Sequence, residues 1–166
     1  MGCSGNPVDS DKQLNGVILG AGLEAWASEV YLYDGSEPFY QDYPTIRQSL
    51  LDNLEKGIKQ GTYEGQSRLF WQNFKARQLR VTFYQDQLYQ AQWDFAAFED
   101  TDINALSDYL LERFKNTYGD PQQMEYPDFT LWIWQNNIYY LSIFQEEDLE
   151  LTVEFRGPKA IADLKK

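Results

Sequence analysis

The sequence predicts an α+β domain: two tandem helix-plus-three-strand units forming a largely antiparallel sheet, with the helices on one face. Three observations predict it. A long helical stripe of apolar residues occurs once in each half of the chain, over about 45–60 and 102–118. Each stripe is followed by segments in which apolar and polar residues alternate at period two, the mark of half-buried strands. Aromatic residues make up 16% of the chain, a share that favours pleated surfaces. At 166 residues the chain has the length of one ordinary domain.

The elements read in order as follows. Residues 1–15 are polar and read as a flexible tether. "GVILGAGLEAWASEVYLYDG" places Leu23, Trp26, Ala27 and Val30 at helical spacing, with a brief strand at Val17 to Leu19. "SEPFYQDYP" reads as a loop rich in turn formers. The first long helix spans about 45–60: Ile46, Leu50, Leu54 and Ile58 recur every four residues, with Leu51 beside them. Thr45 with Gln48 is a capping-box pattern, and Gly61 a C-terminal stop. Three strands follow, starting near 68, 79 and 88. The first is "RLFWQNF". In the second, Leu79, Val81 and Phe83 alternate with Arg80, Thr82 and Tyr84. After a tight turn near Asp86, the third places Tyr89, Ala91, Trp93 and Phe95 on one face.

The second helix, about 102–118, starts at Thr101 or Asp102 and carries the stripe Ile103, Leu106, Leu110, Phe114 and Tyr118. Gly119 and Pro121 end it. Strands then start near 128, 138 and 148. In the first, Phe129, Leu131 and Ile133 oppose Thr130, Trp132 and Trp134. Asn136 and Asn137 make a hairpin turn, because Asn tolerates positive φ, and "IYYLSIF" returns. The last strand turns Leu149, Leu151, Val153 and Phe155 inward. Residues 158–166 form a frayed or loosely docked tail. The organisation is thus a tether, one domain over 16–157 with pseudo-repeats at about 45–96 and 102–156, and a tail. Over 45–156 this order of elements resembles the β-lactamase-inhibitor-protein fold and, more loosely, the small lipoproteins of outer-membrane assembly. The likeness is one of element order and carries no residue motif, so it implies no functional residue.

Charge and chemistry narrow the function. The net charge is −12, which repels phosphate backbones and bare anionic membranes and steers in a basic protein partner. No apolar run reaches the roughly 20 residues of a membrane span. The chain has no histidine and one cysteine, which removes Ser-His-Asp and Cys-His catalysis and the common zinc and iron–sulfur sites. "GVILGAG" lacks the spacing and context of a dinucleotide loop. Two carboxylate clusters remain: Glu99, Asp100 and Asp102, and Glu146, Glu147, Asp148 and Glu150. Both lack the calcium-loop glycine pattern. The first reads as charge at a helix N-terminus and the second as a solvated turn. No cofactor, metal or catalytic residue is expected.

Cys3 lies among Gly2, Ser4, Gly5, Asn6 and Pro7, which is no setting for a buried thiol. Myristoylation at Gly2 calls for Ser or Thr at position 6, where this chain has Asn6. "GCSGN" resembles the end of a bacterial lipobox, with Cys3 as the lipidated residue and Met1 an added start. That likeness implies a periplasmic domain anchored by lipid to the outer membrane. The rival is that Cys3 carries no lipid and the protein is cytoplasmic.

If Phe129, Leu131 and Ile133 face the helices, Trp132 and Trp134 face away, joined by Tyr140 and Tyr84 with Arg80, Gln90 and Gln92 nearby. Trp, Tyr and Arg are the residue types of interface hot spots. The reading is a non-enzymatic envelope lipoprotein that binds a protein on an aromatic sheet face centred on Trp132, Trp134 and Tyr140, with Tyr84 and Arg80 at its edge. The partner would be of inhibitor, immunity or assembly-accessory type. The alternative is a small-ligand or glycan-binding module. A broad flat face favours the first and a narrow groove the second.

Overall fold

The computed structural model describes residues 8–97 and 100–164; Cys3 and Glu99 lie outside them. In chain order the elements are β1 (Gln13–Leu14), β2 (Val17–Ile18), a 3₁₀ turn (Leu23–Ala25), β3 (Val30–Leu32), α1 (Pro38–Gln41), α2 (Pro44–Glu55) and β4 (Ile58–Tyr63). There follow a second 3₁₀ turn (Ser67–Leu69), β5 (Phe70–Trp71), β6 (Phe74–Lys75), β7 (Gln78–Tyr84), β8 (Gln87–Ala96) and α3 (Ile103–Tyr118). The chain ends with β9 (Gln122–Glu125), β10 (Thr130–Gln135), β11 (Tyr140–Glu146), β12 (Glu150–Arg156) and α4 (Ile161–Leu164).

The protein is α+β with a largely antiparallel sheet, as its sequence predicts. Eight strands run in the order β3-β4-β7-β8-β12-β11-β10-β9, each antiparallel to its neighbour. Two meanders, β4-β7-β8 and β9-β10-β11-β12, meet where their last strands pair. At that seam Trp93 stands opposite Val153 and Ala91 opposite Phe155. The main core lies on one face, where Leu79, Val81, Trp93, Phe95, Leu141, Ile143, Val153 and Phe155 are all buried. The stripe Ile103, Leu106, Leu110 and Phe114 of α3 fills the other side of that core. Asp102 caps this helix by accepting from the Ala105 amide at 3.1 Å, and Gly119 ends it at φ 87°.

Other expectations need correction. The first long helix stops at Glu55, and Gly57 at φ 80° turns the chain into β4. Gly61 is therefore inside a strand, where a Cβ would run into the Tyr31 carbonyl of β3. Pro44 takes the first helical position and Thr45 lies within the helix, so no capping box forms. "RLFWQNF" makes a 3₁₀ turn and the small β5–β6 hairpin, paired outside the main sheet. That hairpin sends Trp71 inward, its ring 5.0 Å from Trp93 and 5.7 Å from Phe114. The stretch around Leu23 forms a 3₁₀ turn and β3 rather than a regular helix, after a β1–β2 hairpin turned by Asn15 and Gly16 at φ 50° and 79°. The Asn136 turn is held by its side-chain Oδ1, which accepts from the Ile138 and Tyr139 amides. Leu149 sits exposed in the β11–β12 turn. Tyr89 leaves its expected row because it is the extra residue of a bulge between the Thr82–Gln90 and Phe83–Leu88 pairs.

Both ends of the described chain make contacts with the domain. Asp9 accepts from Nε and Nη2 of Arg113 on α3, the latter at 2.8 Å, and Tyr118 donates its hydroxyl to the Ser10 carbonyl. Leu14 and Val17 are fully buried, so the predicted tether is docked from Asp9 onward. At the other end the Tyr89 hydroxyl donates to the Lys159 carbonyl at 2.6 Å and accepts from the Lys159 amide.

The two long helices do not share a face. Ile58, Gln60 and Thr62 of β4 lie opposite Tyr84, Thr82 and Arg80, on the side away from α3. Asn53 of α2 donates to Gln60 there, and Leu50 and Ile58 are buried outside the main core cluster. Helix α2 thus covers the β4 end of the second face.

Candidate functional site

Strand β10 is apolar on both sides, and its register decides which side is which. Trp134 pairs with Leu141 and Trp132 with Ile143, residues of the main core. Trp134 is only 3% exposed; its ring meets Phe114 edge-on at 5.5 Å and its Nε1–H donates to the Gly119 carbonyl at 2.7 Å. Trp132 is half-buried against the same core. The orientation expected of this strand is therefore inverted: Leu131 and Ile133 face away from α3, and Trp132 and Trp134 do not form a binding surface. The physical reason is size and chemistry. Burying an indole removes more apolar area from water than burying Leu or Ile, and this one finds a carbonyl for its N–H.

The remaining predicted residues do reach the second face. Arg80 stands opposite Gln92, which pairs on with Glu154, Ser142 and Ile133 across the sheet. Tyr140 continues the next row, beyond Thr82, Gln90 and Arg156. Tyr84 lies at the far end, edge-on to Tyr89 at 6.4 Å. The centre of this face is polar and tightly connected. Asp94, buried, accepts from Gln78 at 2.7 Å, Arg80 at 3.2 Å, Thr152 at 3.2 Å and Gln92 at 3.3 Å. Arg156 lies 4.0 Å over the Tyr140 ring and donates to Glu154 at 3.0 Å. All four of these donors to Asp94 come from its own sheet, which makes the network a means of holding the strands in register.

Toward β9 the face turns apolar. Tyr126 stacks on Phe129 at 4.5 Å, and Phe129 lies tilted against Phe144 at 4.8 Å. Met124, Leu131 and Phe144 occupy one row and Ile133 the next, all half-buried. Helix α2 sits at β4 and the C-terminal turn beside Tyr89, which leaves this half of the face open. Hollows of about 460 and 400 Å³ lie elsewhere, one between β6 and the start of α3 and one along α3.

The structure also brings together a second aromatic group that spacing alone does not single out. Tyr31, Tyr33, Tyr40, Phe39 and Tyr43 form a continuous run of rings with successive centroids 5.8, 6.3, 5.3 and 4.7 Å apart. Phe39 is 54% exposed and Tyr43 50%, and Tyr31 and Ile46 are also exposed. Glu37 organises this corner, accepting from the Tyr31 hydroxyl at 2.7 Å and the Gly35 amide at 3.0 Å. That bond to Glu37 pushes the Tyr31 phenol up to about 12. The signal in the sequence is the density of aromatic residues among turn formers in "YDGSEPFYQDY". Ile46 reads as core by its spacing, which fits the α2 stripe, yet it lies on the open side of the helix.

Among the described residues no group of three or more His, Cys, Asp or Glu side chains could hold a metal ion. Asp102 serves as a helix cap, and Glu147, at φ 51°, as a turn residue. No described helix is long and apolar enough to cross a membrane. No protein-family model, curated protein or solved structure matches this chain.

Proposed function

We propose that this chain is a non-enzymatic binding domain that takes a protein partner on the open half of its second sheet face. The observation that carries the reading is the strip of Met124, Phe129, Leu131, Ile133 and Phe144, with Tyr126 exposed at its rim, on strands that no long helix covers on that side. Contiguous apolar surface of this kind marks interaction sites. The two hollows lie away from this strip, whereas a sugar or other small ligand binds in a concave site, which favours a protein here. Tyr140 and Arg80 stand at its polar margin, and Leu131 and Ile133 take the central place expected of Trp132 and Trp134. The lipobox-like "GCSGN" supports an envelope location, with Cys3 lipidated and the domain held at the bacterial outer membrane on its periplasmic side.

A photoreactive amino acid at position 133 should crosslink to a partner in native cells, whereas one at Glu112 on the exposed side of α3 should not. The double variant Phe129→Ser/Tyr126→Ser should lose the adduct while keeping its circular dichroism. Equal adducts from positions 133 and 112, or an adduct that survives the double variant, would overturn the sheet-face reading. Mass spectrometry of protein made in its native host with its full leader should show an acylated Cys3; a free thiol would return the protein to the cytoplasmic alternative.

A further inference from the structure

Separately from the sheet face, we propose that the ring run at β3, α1 and the start of α2 is a receptor for an extended cationic segment of a protein, read through its Lys and Arg side chains. Two features coincide there. The first is exposed aromatic surface: of the ten exposed large apolar side chains among the described residues, four, Tyr31, Phe39, Tyr43 and Ile46, fall in this short stretch. The second is charge. Between residues 31 and 47, the stretch that carries the rings, the sequence holds Asp34, Glu37 and Asp42, and Arg47 as its single base. Arg47 is turned to the Gly35 carbonyl at 3.0 Å.

Ring faces attract cations within about 6 Å of their centroids, and carboxylates beside them add to the attraction. This chain already uses that pairing internally, with Arg68 4.2 Å over Trp26, Arg113 4.8 Å over Trp71 and Arg156 4.0 Å over Tyr140. The Phe39–Tyr43 stack, with an interplanar angle of 28°, presents the same kind of surface to solvent. Its carboxylates are ready-made: hydrogen bonds from the Ser36 side chain and amide hold Asp34 below the usual carboxylate range. The geometry is set before any partner arrives, because Tyr31 is tied to Glu37 and Tyr33 to Thr62 of β4. Such preorganisation reduces the ordering cost of binding.

The charge also excludes other occupants. A second copy of this chain would bring like carboxylates together, with −12 on each partner. An apolar partner would strip water from the carboxylates without pairing them. The five rings are linked one to the next through four successive contacts, which suits an extended segment rather than a single small cation.

The test uses fluorescence anisotropy with a labelled peptide of alternating Arg and Gly. The wild-type protein should bind it, more weakly as salt rises. Phe39→Ser/Tyr43→Ser keeps the net charge and should weaken binding at least tenfold, and Asp42→Asn should weaken it several-fold. The sheet-face variant Phe129→Ser/Tyr126→Ser should bind the peptide as the wild type does, so failure of one site is distinguishable from failure of the other. Two results would overturn the proposal: no wild-type binding at low salt, or wild-type affinity in a folded Phe39→Ser/Tyr43→Ser variant, which would reduce the attraction to overall charge.

Discussion

Replacing Trp134 by alanine tests the orientation of β10 directly. The side chain is buried, so its loss forfeits about 200 Å² of apolar area, worth roughly 5 kcal/mol at 25 cal/mol per Å² as an upper bound. The bond from Nε1 to the Gly119 carbonyl is worth about 1 kcal/mol more, and the edge contact with Phe114 lies within the area already counted. Collapse of neighbours into the space returns part of this, so the net cost should fall at about 3–5 kcal/mol, the usual range for removing a buried Trp. Trp134→Phe keeps most of the area and loses the hydrogen bond, and should cost about 1–2 kcal/mol. Ile133→Ala, one residue away on the half-buried second face, should cost about 1 kcal/mol. Urea melts followed by far-ultraviolet circular dichroism give all three values at once, with unchanged slopes required for the comparison. If Ile133→Ala costs as much as Trp134→Ala or more, the assignment of the two faces is wrong, and the sheet-face binding site falls with it.

Three further perturbations probe the rest of the molecule. Asp9→Ala leaves Arg113 without the carboxylate that holds its fork and should cost roughly 3 kcal/mol; a double-mutant cycle with Arg113→Met should show coupling above about 1 kcal/mol, and additive losses would mean the N-terminal segment is not clamped. Asp94→Ala removes the acceptor shared by Gln78, Arg80, Gln92 and Thr152 and should cost roughly 2 kcal/mol, while Asp94→Asn retains part of the network and should cost less; denaturant melts rank the two. Phenols titrate late: burial first, with nearby carboxylates adding, raises Tyr118 and Tyr40, and burial raises Tyr139 and Tyr89. Above about pH 10 the unfolded chain therefore releases these protons before the folded one does, so their contribution to stability is whole below about pH 10 and is lost as pH rises through the folded values. Absorbance titration at alkaline pH should show Tyr31 ionising at about 12, and Glu37→Gln should bring it back toward 10.

The parts of the fold that are legible in the sequence are those with one-sided patterns. The stripe Ile103, Leu106, Leu110 and Phe114 has polar residues around it, and Asp102 and Gly119 mark its ends chemically; the helix forms as read. In β7 and β12 only one face is consistently apolar, so burying that face is the only favourable solution, and Leu79, Val81, Val153 and Phe155 point inward as the pattern requires. Strand β9, "QQME", carries no apolar alternation and so leaves no mark of its own; pairing with β10 is what makes it a strand. Strand β4 looks helical because Ile58 continues the four-residue spacing of α2, although Gly57 interrupts it.

Composition, charge and local spacing by themselves determined the α+β class, the largely antiparallel pairing of the sheet and the main helix with its caps. The tertiary structure alone decided which side of β10 is buried. Phe129, Leu131 and Ile133 are as apolar as a core row should be, and so are Trp132 and Trp134, so alternation is silent between them. The choice is made across the hairpin, where Gln135 pairs with Tyr140 and thereby aligns Trp134 with Leu141 and Trp132 with Ile143. Once β11 is committed by its pairing with Val153 and Phe155, a one-residue slip of β10 would put both indoles in water and break the bond to Gly119, and no local signal within β10 records that cost.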